Sequence, residues 1–575
     1  MAVLGFLFIS QLSSTDTVSS STLSSRCTAV SMDLIVAAKE GRLGFPAPLP
    51  RSSTEWRPAD DGFPSLELVQ AVNSLLSRHK IEYHNTLYVS RQPSSSESEY
   101  RPTILIPAVS TSDDSWYILL RDIKEYLVQN SLPQVCAEIY DPVFFRLPAH
   151  FPVEETHPIV QIWPRLADDI VQIVEPKLCS SISCVRRGHE AEPGRNPVTI
   201  VLTSEYPAKL ASESKQTILY RMRHYGLEGI EIAYVEVENI LEADPSGGPR
   251  AFPVTNELSM GCGIGLEGDA VASATLGGKL VVSLGGTDYQ VGVTNFHVVC
   301  ENPAIKGRLE NQPFHPNNPN NPAVGLVVPS DYDFYSALQT TKHCVDIQAN
   351  ALASFNKKFG SDDESVDEDL KDRNARIKEA KGAMETRFKK LNAFNRQVGH
   401  LWSSSSFGAN FLTGMPLGWA LISLNPQRSF SNTLPKDNEL GQIKPYDARW
   451  NAVEFPRSGQ VEEVSPCTLG TLVFKWGRTS GLRGGRVNAL EPRVNVGGRF
   501  LSAYQVVGMS SDVEAFFGRE GDLGSWVIDL KGRWVGLLFS CPKVSMNGDA
   551  YVLDAPTVVS DIERVTGGTV TLGGA

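Results

Sequence analysis

The stretch "EGDLGSWVIDLKGRWVGLLFS", residues 520–540, decides how the second half of this chain is read. Gly521 and Gly524 bracket Asp522 and Leu523, and glycines so placed fit a tight turn in which a Cβ would clash. An apolar run, "WVID", leaves the turn, and "LKGR" separates it from a second apolar run, "WVGLLFS". Short apolar runs joined by glycine-bearing turns predict antiparallel strands. At the tip stands Leu523, whose side chain can neither attack a carbonyl nor donate a hydrogen bond.

The same texture extends outward from that stretch. From Phe252, "GCGIGL", "ASATLGG", "KLVVSLGG" and "YQVGVTNFHVV" follow at close intervals, which predicts an antiparallel barrel or sandwich. A helical, acidic interlude interrupts it. "SDDESVDEDL" (361–370) leads into Leu370, Ile377, Met384 and Leu391, with Ala380, Phe388 and Phe394 beside them. That seven-residue spacing predicts a long amphipathic helix, packed on the barrel or on a partner, within an insertion at about 355–397. Strand patterning resumes at "RQVGHLW" and continues to the end.

Upstream, residues 1–64 read as a disordered and linker segment, rich in Pro, Gly and Ser over 41–62. "SLELVQAVNSLLSRHKI" then places Leu66, Val69, Val72, Leu75 and Leu76 on one helical face. A strand at 101–108, a helix at 116–129 and a strand at 134–141 are echoed at 196–203, 215–226 and 229–237, with Glu138 and Glu231 at matching places. This predicts a duplicated β-α-β module over 65–242. It carries no glycine-rich phosphate loop, so no nucleotide site or other cofactor is expected, and a packing or partner-binding role is.

Bulk properties narrow the function classes. At 575 residues the chain should hold two or three domains, and its net charge of −12 argues against a nucleic-acid partner. Nine cysteines without CxxC pairs signal neither a metal site nor a disulfide framework, and fit a reducing, cytoplasmic compartment. The alternative is secretion through "MAVLGFLFIS", a weak signal peptide without a positive n-region. No stretch approaches the roughly 20 apolar residues of a membrane span, so no membrane partner is expected.

Five segments, in order, carry a resemblance. They are "VGVTNFHVV" (291–299), "GMPLGWALISL" (414–424), "KWGRTSGLRGGRV" (475–487), "GDLGSWV" (521–527) and "GRWVGLLFS" (532–540). Together they resemble the trypsin-like (chymotrypsin-fold) serine proteases, microbial and fungal members in particular. The resemblance implies an α+β chain in which 252–565 form an antiparallel double β-barrel with the helical insertion, and 566–575 a tail. It places His297 at the triad histidine, Gly418 at the aspartate and Leu523 at the serine, so that two of three triad side chains are replaced. It also implies an oxyanion hole from the backbone N–H groups of Gly521 and Leu523, which need no particular side chain. Asp522 is then a buried partner for a charged or polar group. Ser525, about 7 Å along an extended chain from Leu523, Cys541 and Asp333 are the candidates for a relocated nucleophile or carboxylate. The implied function is a non-catalytic pseudoprotease that binds a peptide or protein ligand. The alternatives are a serine-type endopeptidase with a relocated active site, or a scaffold protein acting through its helix.

Overall fold

The computed structural model describes residues 36–38, 42–45, 56–58, 64–83, 86–91, 101–109, 114–141, 148–237, 254–269, 273–300, 302–306, 312–359, 368–406, 408–409, 416–441, 443, 453–509, 516–542 and 548–573. The possible signal peptide lies outside them. The chain forms two compact units, 1–148 and 149–575.

In the first unit, six strands form one sheet: β1 (Val36–Ala38), β2 (Arg42–Phe45), β3 (Trp56–Pro58), β4 (Leu87–Arg91), β5 (Arg101–Pro107) and β6 (Cys136–Tyr140), ordered β1-β2-β6-β5-β4-β3. Helix α1 (Leu66–Arg78) starts where Ser65 Oγ accepts the Leu68 N–H at 3.3 Å, and buries Leu68, Val72, Leu75 and Leu76. Helix α2 (Ser115–Gln129) buries Trp116, Leu119, Leu120, Ile123 and Leu127, and crosses between the parallel pair β5 and β6. The stretch read as linker therefore supplies β2 and β3. Strands of four and three residues are too short for periodicity to reveal, and Pro58 sits on an edge strand, where its missing N–H is tolerated.

The second unit opens with the same order of elements: α3 (Ile159–Ile173), β8 (Ser181–Gly188), β9 (Val198–Ser204), α4 (Pro207–His224) and β10 (Glu231–Glu236). As in the first unit, an antiparallel hairpin (β8–β9) precedes a parallel pair (β9–β10) joined by a helix. The duplication is present, but its copies lie in different sheets and different compact units, so 65–242 is not one module. Tertiary packing is the reason. β8 pairs with β24 (Arg493–Val496), which turns back as β25 (Arg499–Ser502), and β7 (Ala149–Phe151) also pairs with β8. Ile182, Cys184, Ile200 and Leu202 bury against α3 and α4, whereas Val185, Val201 and Val235 join the core of the β-rich region. The glutamates do not match either: Glu138 stands beside Leu105, and Glu231 beside Thr199, the counterpart of Thr103.

The β-rich region holds an open sheet and a closed barrel. The sheet is antiparallel, ordered β13 (Ala274–Leu276), β12 (Cys262–Leu266), β16 (Gly325–Val327), β17 (Gln397–Ser404), β20 (Trp419–Leu424), β15 (Thr287–Asn295), β14 (Gly278–Leu284), β30 (Thr569–Thr571). Two minor pairs flank it, β11 (Glu257–Ser259) with β21 (Ser429–Ser431), and β18 (Gly408–Ala409) with β19 (Pro416–Leu417). The barrel runs β22 (Leu472–Gly477), β23 (Gly481–Val487), β26 (Tyr504–Gly508), β29 (Ala550–Asp554), β28 (Trp534–Ser540), β27 (Trp526–Asp529). Among the described residues one barrel, not two, is closed by hydrogen bonds, and the expected tail contributes β30 to the other sheet. A single core joins the two, with Leu276, Val293, Trp419 and Leu421 clustered with Leu523, Trp526, Leu538 and Val552. Trp526 stacks on Trp534 with centroids 4.2 Å apart, a geometry worth about 0.5–1.5 kcal/mol beyond burial. Helix α8 (Ala555–Thr566) begins at Asp554, whose side chain accepts the Thr557 N–H.

The helical insertion starts earlier than expected. A turn of helix, α5 (His297–Cys300), follows β15, and the insertion itself is two long helices, α6 (Asp331–Phe359) and α7 (Glu368–Ala393), packed along each other. On α6 Phe334, Leu338, Thr341, Val345, Gln348, Leu352 and Phe355 are all buried or half-buried and keep a 4-3 spacing that polar Thr341 and Gln348 conceal in the sequence. Ile377, Met384, Phe388 and Leu391 form the shielded stripe of α7, so the partner of that stripe is α6. Among the described residues no helix is long and apolar enough to cross a membrane.

Candidate functional site

Three segments far apart in sequence meet where the open sheet abuts the barrel. β15 delivers Asn295, Phe296 and His297, β20 begins just after Gly418, and the turn 521–525 precedes β27. The Phe296 N–H donates to the Gly418 carbonyl at 2.9 Å, and Asn295 and Trp419 are cross-strand partners. Thr275 ties in the turn: its N–H donates to the Leu523 carbonyl at 2.8 Å and its hydroxyl to the Gly521 carbonyl at 2.8 Å. From the barrel side, the Gly524 N–H donates to the Leu538 carbonyl at 2.8 Å, and Asn295 Nδ2 reaches that carbonyl at 3.5 Å. The segments carrying His297, Gly418 and Leu523 are thus brought together.

Their side chains make no triad. His297 is half-exposed, its N–H held by Asn295 Oδ1 at 2.8 Å and its ring edge-on to Phe296. Gly418 has no side chain, although a Cβ there would meet only ordinary contacts, the nearest Asn295 Nδ2 and Leu553 Cδ1 at 3.8 Å. Leu523 is 1 % exposed and belongs to the core. Burying such a side chain is worth about 1.5–3 kcal/mol, so Leu523 stabilises the junction.

The turn itself is built. Gly521 (φ +86°) and Gly524 (φ +93°) occupy the left-handed region, and a Cβ on Gly524 would strike Thr275 O, Asn295 N and Thr294 Oγ1. Among the described residues, neither the Gly521 nor the Leu523 N–H, one residue apart in the turn, donates to an acceptor.

Asp522 anchors this turn. Its Oδ2 accepts from Lys475 Nζ (2.6 Å), Ser480 Oγ (2.6 Å) and the Arg519 N–H (3.0 Å), and its Oδ1 from the N–H groups of Thr479 (2.9 Å) and Ser480 (3.1 Å). Both charges are fully buried. Burial pulls Lys475 below the usual lysine range despite its partner. Burial alone would raise the Asp522 carboxyl, but the Lys475 ammonium and the converging donors outweigh it and hold the carboxyl low. The two directions pull oppositely on the pair. Five donors on one carboxylate decide for a charged Asp522. A Cβ on Gly477 would collide with both Asp522 and Lys475, so only glycine fits there.

None of the replacement candidates is placed to act. Ser525 is completely buried, and its hydroxyl donates to the Asp522 carbonyl at 2.6 Å. Cys541 is buried, and burial pushes its thiol well above the usual range, away from the reactive thiolate. Asp333, near the start of α6, is locked to Arg478 of the "GRTSG" hairpin, whose Nε and Nη2 both contact it. Lys475 and Arg478 went unread in the sequence as ion-pair partners. The available signal was Lys475 itself, the one charge among the buried residues of "LVFKWG". Among the described residues, no group of three or more His, Cys, Asp and Glu is placed to hold a metal ion.

No family model and no curated protein matches this sequence. Solved structures similar to it include a glutamic acid-specific serine protease that utilizes a histidine triad in substrate binding (13% identity, TM-score 0.28). Thermobifida fusca protease A (10%, 0.26) and Nocardiopsis protease (11%, 0.27) are others. Each similarity covers 55% of this chain and 100% of the protease. Similarity at this level assigns neither family nor activity.

Proposed function

We propose that this chain is a protein of trypsin-like fold that binds peptide or protein segments and does not cleave them. One observation carries the reading: an aliphatic, fully packed Leu523 stands at the tip of a turn in which the Gly521 and Leu523 N–H groups have no acceptor among the described residues. Acyl transfer needs a nucleophile beside a base oriented by a third group. Here the serine and aspartate positions offer no such groups, and Ser525, Cys541 and Asp333 are committed to other contacts. The Gly521 and Leu523 N–H groups receive a carbonyl or carboxylate oxygen of the ligand, with His297 on the rim. The described cysteines are free thiols, which suits a reducing compartment, and a cytoplasmic location is part of the same proposal.

The test has two arms. A fluorophosphonate probe should leave the protein unlabelled, and stoichiometric labelling lost on Ser525→Ala would replace this reading with a relocated nucleophile. Acetylated tetrapeptides with a free carboxylate, titrated into protein ¹⁵N-labelled at glycine and leucine, should shift the Gly521 and Leu523 amide resonances saturably. If a varied peptide set moves neither amide at millimolar concentration, the turn binds no such ligand.

A further inference from the structure

A cavity of about 380 Å³ opens in the second copy of the duplication, between the start of α3 and the chain that leaves α4. Its charged and ionisable lining residues are His157, Arg186, Arg195 and Glu228, while Val198, Leu227 and Ile230 give it an apolar wall. Ligand pockets run from about 300 to 1,000 Å³, so this one suits a small molecule. One wall is held by Asn196, which is 1 % exposed. Its Oδ1 accepts the Glu190 N–H at 3.1 Å, and its Nδ2 donates to the Glu190 and Glu192 carbonyls at 2.9 and 3.2 Å. Arg186 ties this loop to the approach to α3. Its Nη1 donates to the Asn196 carbonyl at 2.8 Å and its Nε to both oxygens of Glu154, which leaves Nη2 without a partner among the described residues.

The cavity is polarised. Arg195 is exposed, and its ion pair with the equally exposed Glu192 is of a kind that contributes little, so its guanidinium can turn to a ligand. His157 Nδ1 accepts the Ile159 N–H at 3.3 Å, and burial together with Arg186 holds the ring below the usual histidine range. His157 is therefore neutral at pH 7 and carries its proton on Nε2, as a donor. Helix ends have the same sense: the N-terminus of α3 and the C-terminal exit of α4 border this one cavity, with partial charges of roughly +0.5 and −0.5. Glu228 stands in the α4 exit, whereas the basic residues of the last turn of α4, Arg221, Arg223 and His224, are exposed and do not line the cavity.

We propose that this cavity binds a small apolar α-amino acid, with the carboxylate at His157, Arg186 and Arg195, the ammonium at Glu228, and the side chain against Val198, Leu227 and Ile230. Donors on one side and a carboxylate on the other match a zwitterion better than an ion of either sign. The cavity shares no residue with the Gly521–Leu523 turn and does not depend on the function proposed for it.

The probe is L-leucine, with isocaproate, which lacks the ammonium, and isoamylamine, which lacks the carboxylate, as controls. Each is titrated into the full chain ¹⁵N-labelled at glycine. Leucine should shift the Gly194, Gly226 and Gly229 amides saturably at millimolar concentration, both controls should bind more weakly, and Gly521 should not move. Glu228→Gln should weaken leucine about fivefold and not weaken isocaproate, whereas Arg195→Gln should weaken both carboxylates but not the amine. A Cβ on Gly194 would meet nothing within 4 Å, so Gly194→Trp adds its side chain in open space and should block binding while the circular dichroism spectrum is kept. Leucine that moves none of the three glycines, or binds no better than isocaproate, overturns the proposal. An equal loss of leucine and isocaproate on Glu228→Gln does so too, since the cavity would then be an anion site only. Shifts at Gly521 alone would assign the leucine carboxylate to that turn and refute the cavity as its site.

Discussion

Replacing Lys475 with methionine removes the one positive charge facing the Asp522 carboxylate and keeps most of the side-chain volume. Four donors remain on that carboxylate, from Ser480 Oγ and the N–H groups of Arg519, Thr479 and Ser480. Both partners have no exposed surface, so water cannot take the ammonium's place. Breaking a buried pair from one side costs about 3–5 kcal/mol, and this environment belongs in that range because the stranded charge sits in the core. Urea unfolding at pH 7, followed by tryptophan fluorescence from Trp526 and Trp534, measures the loss. Its pH dependence identifies the cause. In the native protein the Asp522 carboxyl is held low, so its contribution is present above the unfolded carboxylate pKa and fades as pH falls through the lower folded value. In Lys475→Met the folded pKa rises instead, and below the unfolded value of about 3.9 the carboxyl is protonated in both states. The gap between the two proteins should therefore narrow as pH drops from 7 towards 4. Adding Asp522→Asn should recover part of the loss by removing the stranded charge. A loss below about 1 kcal/mol, or a gap that does not change with pH, would refute a charged pair as the anchor of the turn.

Gly418→Asp with Leu523→Ser should give measurable hydrolysis of activated esters, and Leu523→Ser alone less, because His297 then lacks the group that sets its tautomer. Leu523→Ser should also lower stability by about 2–5 kcal/mol through a core cavity, so the rate is read only on protein whose unfolding is still cooperative. If the folded double variant is as inert as the parent, His297 lacks a working orientation towards position 523. Asp333→Ala leaves Arg478 without the carboxylate it grips with two nitrogens, and should speed hydrogen exchange at the start of α6 while leaving β22 protected. Unchanged exchange there would show that the insertion is held by other contacts.

Local signals were enough for the elements whose physics is local. Glycines at 521 and 524 need the left-handed backbone the turn uses, the helix at 66–78 shows its apolar face, and strand-helix-strand order appears in both halves of the duplication. The segments carrying His297, Gly418 and Leu523 meet at one junction in the fold, and the residue identities alone say that glycine and leucine offer neither a carboxylate nor a hydroxyl there. Tertiary structure decided the rest, because each remaining feature depends on what lies opposite a residue. Strands β2, β3 and β30 are too short to show a period, and they exist because a neighbouring edge offers its hydrogen bonds. The second copy of the duplication reads like the first, yet hydrophobic burial of Val185, Val201 and Val235 fuses it to the β-rich core. Asp333 and Ser525 looked available as a string of letters. Arg478 and the Asp522 carbonyl occupy them in the fold, since a buried charge or hydroxyl is stable only when paired. Lys475 belongs with these: a lone lysine in an apolar strand announces that it must have a partner, and only the closed barrel shows that the partner is Asp522.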